Sequence, residues 1–229
     1  MHIKKLSHCC LVIDVSIEAE DKKDGQRTRR ILVDPGSYSL EQHRSVKGAD
    51  IILITHEHAD HFHIESLKEL VKNSLDVTVI TNDAVGEMLA KEGIPHRVMK
   101  HGNEIEVKGV YLRTYGKDHA IMHSSIPPVS NIGFLIQGKG SARHLFFPGD
   151  ALTDPGTPVD VLALPVAGPW LKISEAIDYG LALRPRLAFP VHDAVRHAIQ
   201  HTLAERVLGQ NGIEFVKLEE GGEIEVHNS

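Results

Sequence analysis

The stretch Thr55–His63 has the sequence THEHADHFH and follows the apolar run Ile51–Ile54. A short apolar run of this kind is typical of a buried strand. Three histidines and one aspartate lie within positions 56–61, and such side chains rarely pack together in a core. In extended backbone, residues two positions apart point to the same side. His56 and His58 can therefore hold one metal ion through imidazole nitrogens at about 2.0–2.1 Å.

The second half of this motif predicts a second metal position. Helical spacing begins at Ile64 and continues to Asn73, so the chain must bend at Asp60 and His61. These two side chains then point past the first pair. The alternative is a polar loop of solvated histidines. A strand–loop–helix context is what a motif of this kind requires, and its presence favours a metal site.

The spacing of His56, His58, Asp60 and His61 resembles the His-x-His-x-Asp-His signature of the metallo-β-lactamase superfamily. The resemblance can be followed from the N-terminal strand to about His192. It implies an α/β (α+β) fold, a four-layer αββα sandwich in which helices flank two mixed β-sheets. It also implies a dinuclear metal centre at the shared edge of the sheets. Within the superfamily, the chain is most similar to the branch that contains ascorbate-phosphate lactonase-like hydrolases.

The composition is that of an ordinary soluble globular chain. Of its 229 residues, 41% are hydrophobic and 24% are charged. No linker, repeat or low-complexity tract divides the chain, so residues 1–229 are predicted to form a single domain. The formal net charge of −6 argues against a nucleic-acid surface, which needs a dense basic stripe.

The cysteines and the N-terminal region predict a cytoplasmic location. Cys9 and Cys10 are the only cysteines, and neighbours in a strand point to opposite faces and pair poorly as a disulfide. This fits a reducing compartment. His8 and Asp14 interrupt the apolar stretch that a signal peptide would need. No apolar run approaches the roughly 20 residues of a membrane span, so no membrane association is expected.

Periodicity and turn residues predict the remaining elements. The charged segment Glu18–Thr28 is predicted to be an exposed hairpin tip. The predicted strands are Leu6–Ile17, Arg29–Val33, Val77–Ile80, Ile94–Met99, Gly133–Gln137, Arg143–Phe147, Asp160–Val166 and Leu187–Val191, with hairpins over Glu104–Tyr115 and Phe215–Val226. The predicted helices are Ile64–Asn73, Asp83–Lys91 with Asn82 as its N-cap, and Ser174–Leu183 with Ser174 as its N-cap.

The resemblance to the superfamily implies the remaining metal ligands. The superfamily places a third histidine of the first site in the loop after Tyr115. His119 is preferred there, and His123 is the alternative, which would otherwise line the cleft. The sequence PGD ending at Asp150 resembles the motif whose aspartate bridges both ions, and one carboxylate can hold two ions about 3.5–4 Å apart. His192, after a predicted strand, resembles the residue that completes the second site.

Other positions have two interpretations each. Asp34 forms either an Asx turn only or a group that supports the metal ligands. His8 lies where relatives often carry a histidine that faces the cleft. Trp170 is either a pocket wall or, more commonly, a core residue. His197 and His201 lie four residues apart on a predicted helix, where such a pair can chelate an ion but is more often simply exposed.

The resemblance implies a dinuclear, metal-dependent hydrolase. The implied ligands are His56, His58 and His119 for one ion, Asp60, His61 and His192 for the other, and Asp150 for both. Two dications lower the pKa of a bridging water to about neutral and polarise the substrate's oxygen. Asp60 would hold the nucleophile and pass a proton to the leaving group, and His123 or His8 would stabilise an oxyanion. The ligands are nitrogen and oxygen with no thiolate, so zinc is the first choice and manganese and iron are admissible.

The fold does not choose the substrate. A small ester, lactone or phosphoester is the first expectation, with a small molecule as the partner. A phosphodiesterase or nuclease that acts on nucleotides or RNA is the second, although the sequence has no added RNA-binding segment. A non-catalytic metal-binding module and a di-iron redox protein are alternatives of a different class. A homo-oligomer is compatible with each of these functions.

Overall fold

The structure is a computed structural model that describes residues 1–18, 26–74, 76–194 and 198–227. Within these residues the chain forms two seven-stranded β-sheets that pack face to face. Most of the predicted hairpin tip Glu18–Thr28 lies outside the described residues, and so does His197.

The first sheet is mixed and has the strand order β14-β1-β2-β3-β4-β5-β6. Neighbouring strands from β14 to β3 are antiparallel, and those from β3 to β6 are parallel. The strands of this sheet are β1 (His2–Ser7), β2 (Cys10–Glu18), β3 (Gln26–Val33), β4 (Ile51–Leu53), β5 (Thr78–Thr81), β6 (His96–Val98) and β14 (Glu223–Glu225).

The second sheet repeats this plan with the order β13-β12-β11-β10-β9-β8-β7. Its strands from β7 to β10 are antiparallel, and those from β10 to β13 are parallel. The strands are β7 (Glu104–Val107), β8 (Val110–Tyr115), β9 (Gly133–Gly138), β10 (Leu145–Phe147), β11 (Val161–Pro165), β12 (Leu187–Val191) and β13 (Glu214–Phe215).

Helices cover the outer faces of the two sheets. The helices described are α1 (Leu40–Arg44), α2 (Ile64–Asn73), α3 (Asp83–Lys91), α4 (Ile173–Leu183) and α5 (Ala198–Gln210). Leu67 of α2 and Leu89 of α3 pack in an apolar cluster on the first sheet. Ile177 of α4 and Leu208 of α5 do the same on the second. With the core between the sheets, these clusters give the predicted four-layer αββα sandwich.

The helices α2 and α3 have the predicted bounds because their ends are encoded locally. The Asn82 side chain accepts a hydrogen bond from the Val85 backbone N–H at 2.9 Å, which is the predicted N-cap of α3. The α2 helix is capped by His63, whose ring accepts from the Ser66 N–H at 3.2 Å. This cap fixes the direction in which the chain leaves the histidine-rich loop.

The predicted strand Leu6–Ile17 is wrong, because the structure divides it into β1 and β2. A tight turn at His8 and Cys9 separates the two strands, which pair with each other in antiparallel fashion. His8 has a left-handed φ of 50°, a conformation that strand periodicity does not reveal. The turn brings His8 to the edge of the sheet, where it faces other polar side chains.

Two further predictions are corrected by the structure. Helix α4 begins at Ile173, after Lys172, rather than after a Ser174 cap, and the Lys172 N–H donates to Glu175 at 2.8 Å. The range Phe215–Val226 is not a hairpin, because β13 belongs to the second sheet and β14 to the first. The chain crosses between sheets there, and sequence pattern identifies a strand without identifying its partner.

The helices of the described residues are short. The longest, α5, has 13 residues, and none of them combines the length and the apolar character that a transmembrane helix needs.

Candidate metal centre

The candidate metal centre lies at one edge of the sandwich, where loops from both sheets meet. The carboxyl ends of parallel strands share an edge, which brings residues that are distant in sequence together. Each contributing residue lies at the end of a strand or in the following loop. They are His8 between β1 and β2, Asp34 after β3, the segment His56–His61 after β4, His119 between β8 and β9, Asp150 after β10 and His192 after β12.

The first group of candidate ligands consists of His56, His58, His119 and Asp150, whose ligand atoms all lie within 4.8 Å of one another. His119 Nδ1 lies 2.5 Å from the Ala120 carbonyl oxygen, so this nitrogen is the donor and Nε2 is free to bind a cation. His119 Nε2 is 3.3 Å from Asp150 Oδ2. His58 presents its Nδ1, which lies 3.1 Å from His56 Nε2.

A hydroxyl relay fixes the ring of His56. Thr55 Oγ1 donates its single proton to Asp34 Oδ2 at 2.8 Å. The hydrogen bond of 2.9 Å between Thr55 Oγ1 and His56 Nδ1 must then use a proton from the imidazole. His56 Nε2 is therefore the unprotonated nitrogen and points toward the other ligands, as metal-binding histidines require.

The second group consists of His8, Asp60, His61 and His192, whose ligand atoms also lie within 4.8 Å of one another. Asp150 adjoins this group as well, because its Oδ1 is 3.1 Å from His61 Nε2 and its Oδ2 is 2.9 Å from His192 Nε2. The carboxylate of Asp60 lies 3.6 Å from His61 and 3.5 Å from His192. Asp150 therefore lies between the two groups, which is the predicted bridging position.

Buried atoms without a hydrogen bond show that this donor set fits metal ions. Among the described residues, His61 Nε2, His119 Nε2 and Asp150 Oδ1 are buried and make no hydrogen bond. Buried polar atoms are nearly always paired, so three such atoms that face one another call for a ligand. Imidazole nitrogens and carboxylate oxygens in two groups of four suit two divalent cations.

Asp34 supports the ligands of both groups. Its carboxylate is fully buried and accepts from the Thr55 N–H at 2.8 Å, from Thr55 Oγ1 and from His61 Nδ1 at 2.7 Å. It thus orients His61 directly and His56 through Thr55. Asp34 therefore contacts a predicted metal ligand, and its support of a bound metal stays a prediction. A side chain at Gly36 would place Cβ 1.9 Å from the Asp60 carbonyl oxygen, so glycine is needed for the loop to reach the ligands.

His8 acts as a hydrogen-bond donor to Asp60 in this arrangement. Its Nδ1 accepts from the Ala194 backbone N–H at 3.2 Å, so the neutral ring carries its proton on Nε2. That Nε2–H donates to Asp60 Oδ2 at 3.1 Å. Burial lowers the pKa of His8 to about 4, which keeps the ring neutral. His8 faces the cleft, as the resemblance implied.

The pKa values of His56 and His58 in the first group are lowered. Burial, and then the charge of His61, holds the pKa of His56 well below its usual value. Burial and the neighbouring His119 also lower the pKa of His58. A cation that binds here meets free imidazole nitrogens.

The two histidines of the second group that lie beside Asp150, His61 and His192, have raised pKa values instead. Burial opposes protonation of His61, but the charge of Asp150 and other neighbours outweigh it and hold the pKa of His61 well above its usual value. Burial also opposes protonation of His192, yet hydrogen bonds to Asp150 and Asp60 raise the pKa of His192 to about 9. The same histidines hold the pKa of both carboxyls well below the ordinary range, although burial alone would raise it.

Comparison with known proteins identifies the family of the chain. The family model described as "Beta-lactamase superfamily domain" matches residues 3–192. The chain belongs to the metallo-β-lactamase superfamily. It is 35% identical to the protein Rv0786c of Mycobacterium tuberculosis over 85% of each chain. It is 26% identical to the UPF0173 metal-dependent hydrolase MJ1163 of Methanocaldococcus jannaschii over 71% of this chain and 77% of the relative.

A solved structure shares the fold over the whole length of both chains. Igni18, a metallo hydrolase from Ignicoccus hospitalis, superposes with a TM-score of 0.74 and covers 98% of this chain and 98% of its own. The sequences are only 18% identical, so this similarity shows the superfamily fold and nothing further.

Two contacts of the metal centre were not predicted by the sequence, although a pocket wall was one of the two interpretations of Trp170. Trp170 Nε1 donates to Asp150 Oδ2 at 3.1 Å, and so the only tryptophan both orients the bridging carboxylate and forms a pocket wall. Gly168 allows this ring to approach, because a Cβ there would lie 2.8 Å from Trp170 Nε1. The Cys9 sulfur lies close to His61 and Asp150, although the sequence predicted no thiolate among the ligands. Burial raises the pKa of the Cys9 thiol to about 12.

Other predicted residues lie away from the two groups. His123 is exposed and its Nδ1 bonds with Ser125 Oγ at 2.8 Å, so the loop contributes His119 to the cluster and His123 does not take its expected place in the cleft. His201 was expected to be exposed but is buried, with Nε2 3.1 Å from Asp193. His197 lies outside the described residues, which leaves the pair as a prediction.

A cavity of about 690 Å³ opens above the two groups. Residues of both groups, including His58, Asp60 and Asp150, form part of its lining. Its walls include Tyr38, Met122, Pro169, Trp170, Leu171 and Gln200. This volume falls within the range of roughly 300–1,000 Å³ that is usual for small-molecule sites.

Proposed function

We propose that the chain is a hydrolase that depends on two divalent metal ions and cleaves a small ester, lactone or phosphoester. The observation that carries this proposal is the position of Asp150, whose two oxygens contact histidines of both groups. The designation of the relative MJ1163 as a metal-dependent hydrolase supports the reaction class.

In this proposal, most of these side chains hold the metal ions, and Asp60 also orients the reactants. His56, His58 and His119 would hold one ion and Asp60, His61 and His192 the other, with Asp150 shared. When bound, such ions activate a water molecule and polarise the oxygen of the scissile group. Zinc is the first choice for this nitrogen and oxygen set, and manganese and iron are admissible.

Asp60 is the proposed catalytic residue. The hydrogen bond from His8 and the proximity of His192 keep its carboxylate ionised and fixed in direction. It lines the cavity, so it can accept a hydrogen bond from the attacking water and hold it near the substrate. It is also the carboxylate placed to pass a proton to the leaving group. His8, whose ring lines the same wall, restricts Asp60 to one orientation.

Metal analysis combined with turnover tests this proposal. Protein purified without chelator should contain about two ions per chain, and Asp150→Asn should lose metal and activity together. Asp178→Asn, which changes an exposed aspartate of α4, is the matched control and should retain both. The activity panel consists of p-nitrophenyl esters, γ-lactones and bis-p-nitrophenyl phosphate.

Three results would contradict the proposal in different ways. Fewer than one ion per chain would contradict the proposed dinuclear centre. Two bound ions with no turnover of any class would favour a non-catalytic metal-binding module. Visible absorption of a di-iron centre, without hydrolysis, would favour the redox alternative.

A further inference from the structure

The part of the pocket that the structure describes has no lysine or arginine in its lining. Apart from the residues of the metal centre, its polar side chains are those of Ser37, Tyr38 and Gln200. Proteins hold phosphate and carboxylate groups mainly through arginine forks and lysine ammonium groups. The metal centre can receive one anionic group at the reacting atom, but the described walls offer no cation to a second charge further along a substrate.

A rigid aromatic wall stands beside the metal centre. The Trp170 indole is fixed by its hydrogen bond to Asp150. Its ring also meets His119 edge-on at 5.6 Å and His192 at 5.7 Å between centroids. Pro169 and Leu171 flank it in sequence and line the same pocket. A wall that is already ordered binds an apolar group without a further loss of side-chain entropy.

The lining also includes an exposed aromatic side chain. Tyr38, which lines the pocket, is 50% exposed. Its ring adds apolar surface to that of Trp170, Leu171 and Met122 in the same pocket.

From the walls without lysine or arginine and the ordered Trp170 ring, we infer that the site takes an ester or lactone whose alkyl or aryl group is uncharged and lies against Trp170. A substrate with a phosphate or carboxylate remote from the scissile bond is excluded by the same walls. This inference rests on the proposed hydrolase function, because it assumes that the reacting group lies at the metal centre. Among the substrates of the proposed function, it excludes those that carry a further phosphate or carboxylate away from the scissile bond, such as phosphorylated lactones.

A panel of matched esters tests the inference on the metal-loaded protein. The kcat/KM for p-nitrophenyl acetate, butyrate and hexanoate should rise at least about tenfold along the series, since full burial of one methylene is worth about fourfold. Mono-p-nitrophenyl adipate has the chain length of the hexanoate but ends in a carboxylate, and its kcat/KM should be at least about tenfold lower. Equal or faster turnover of the adipate monoester would overturn the inference.

Variants of the pocket wall test whether it causes the preference for the hexanoate over the adipate monoester. Leu171→Lys supplies the missing cation and should reduce the preference for hexanoate over the adipate monoester about tenfold or more. Met122→Ala should lower kcat/KM for the hexanoate more than for the acetate. Met88→Ala, an exposed methionine of α3, is the matched control and should change neither. If Leu171→Lys leaves the ratio of hexanoate to adipate unchanged, the substrate chain does not lie against this wall and the inference fails.

A cation from the segment outside the described residues is tested separately. Arg196 belongs to that segment, and Arg196→Ala should leave the ratio of hexanoate to adipate unchanged. A selective loss of turnover of the adipate monoester or of phosphoesters in Arg196→Ala would show a binding site for a remote anion and would overturn the inference.

Fluorescence gives a readout that does not depend on turnover. Trp170 is the only tryptophan, so its emission reports occupancy of the pocket. In metal-free protein, 2-octanone should change this emission in a saturable way, and 7-oxooctanoate, the same ketone with a carboxylate at the far end of its chain, should bind more weakly. Tighter binding of 7-oxooctanoate would overturn the inference. Binding of 2-octanone by a protein that holds two ions but hydrolyses no member of the panel would leave the apolar pocket intact and contradict the proposed function alone.

Discussion

The two groups of the metal centre share Asp150 but differ in the protons that they hold. In the first group, His56 and His58 are neutral imidazoles, because burial lowers their pKa values. The second group pairs His61 and His192 with carboxylates, and their pKa values are raised. The first group is therefore ready for a cation, whereas the second must release protons before it binds one. For the metal-free protein, we therefore expect imidazolium charges on His61 and His192 beside the carboxylates of this group.

The largest expected effect comes from the residue that supports both groups. Asp34→Ala breaks the buried pair with His61 and leaves the Thr55 N–H without its acceptor. Breaking such a pair costs about 3–5 kcal/mol. Urea unfolding of the metal-free protein measures the loss, and Asp178→Ala on the surface is the control. A loss below about 1 kcal/mol would mean that the buried carboxylate does not hold the two groups together.

The stability of the metal-free protein should pass through a maximum near pH 6.5. The raised pKa of His192, about 9, gives stability that is present below the unfolded value of 6.5 and is lost as the pH rises from 6.5 to 9. This alkaline loss amounts to about 2–3 kcal/mol. The pKa of His8 is lowered to about 4, so the folded protein also loses stability as the pH falls from 6.5 to 4.

Thermal melts of chelator-treated protein at pH 4 to 9 check this maximum. His192→Asn should reduce the alkaline loss without abolishing it, because the pKa of His61 is raised as well. Stability that keeps increasing up to pH 9 would show that the second group is not protonated in the absence of metal.

A smaller effect should separate the two groups. His8→Ala removes the donor that orients Asp60, and the loss of such an outer partner typically weakens metal binding by roughly 10–100-fold. The affinity for the ion in the second group should fall, and the affinity for the ion in the first group should not change. Calorimetric titration with Zn²⁺ distinguishes the two steps, and His8→Gln, which keeps an N–H donor, should restore part of the affinity. Equal weakening of both ions would remove the distinction between the groups.

The smallest effect should be shared by both groups. Trp170→Phe deletes the N–H that bonds to Asp150 but keeps an aromatic wall. Because Asp150 serves both groups, both ions should bind about tenfold more weakly, at the low end of the range for outer partners. The same Zn²⁺ titration measures this change. Weaker binding of only one ion would mean that Asp150 serves that group alone.

The sequence by itself determined the features that depend on local spacing. The motif from His56 to His61, the bounds of α2 and α3, the Asn82 cap and the strand Leu187–Val191 all depend on neighbours within a few residues. Local spacing also supported the comparison that selected His119, Asp150 and His192, because each follows a strand end. The helix bounds, the cap and the strand needed periodicity and cap chemistry alone, whereas His119, Asp150 and His192 were implied by the resemblance to the superfamily.

Only the tertiary structure decided the contacts between distant segments. The proton on His8 is placed by the Ala194 N–H, 186 residues away, and the Asp150 carboxylate is oriented by Trp170, 20 residues away in another loop. The same holds for the crossing of the chain between β13 and β14 and for the burial of His201. Periodicity shows which face of an element is buried, but the partner of a side chain is fixed only when the sheets pack and bring their edges together.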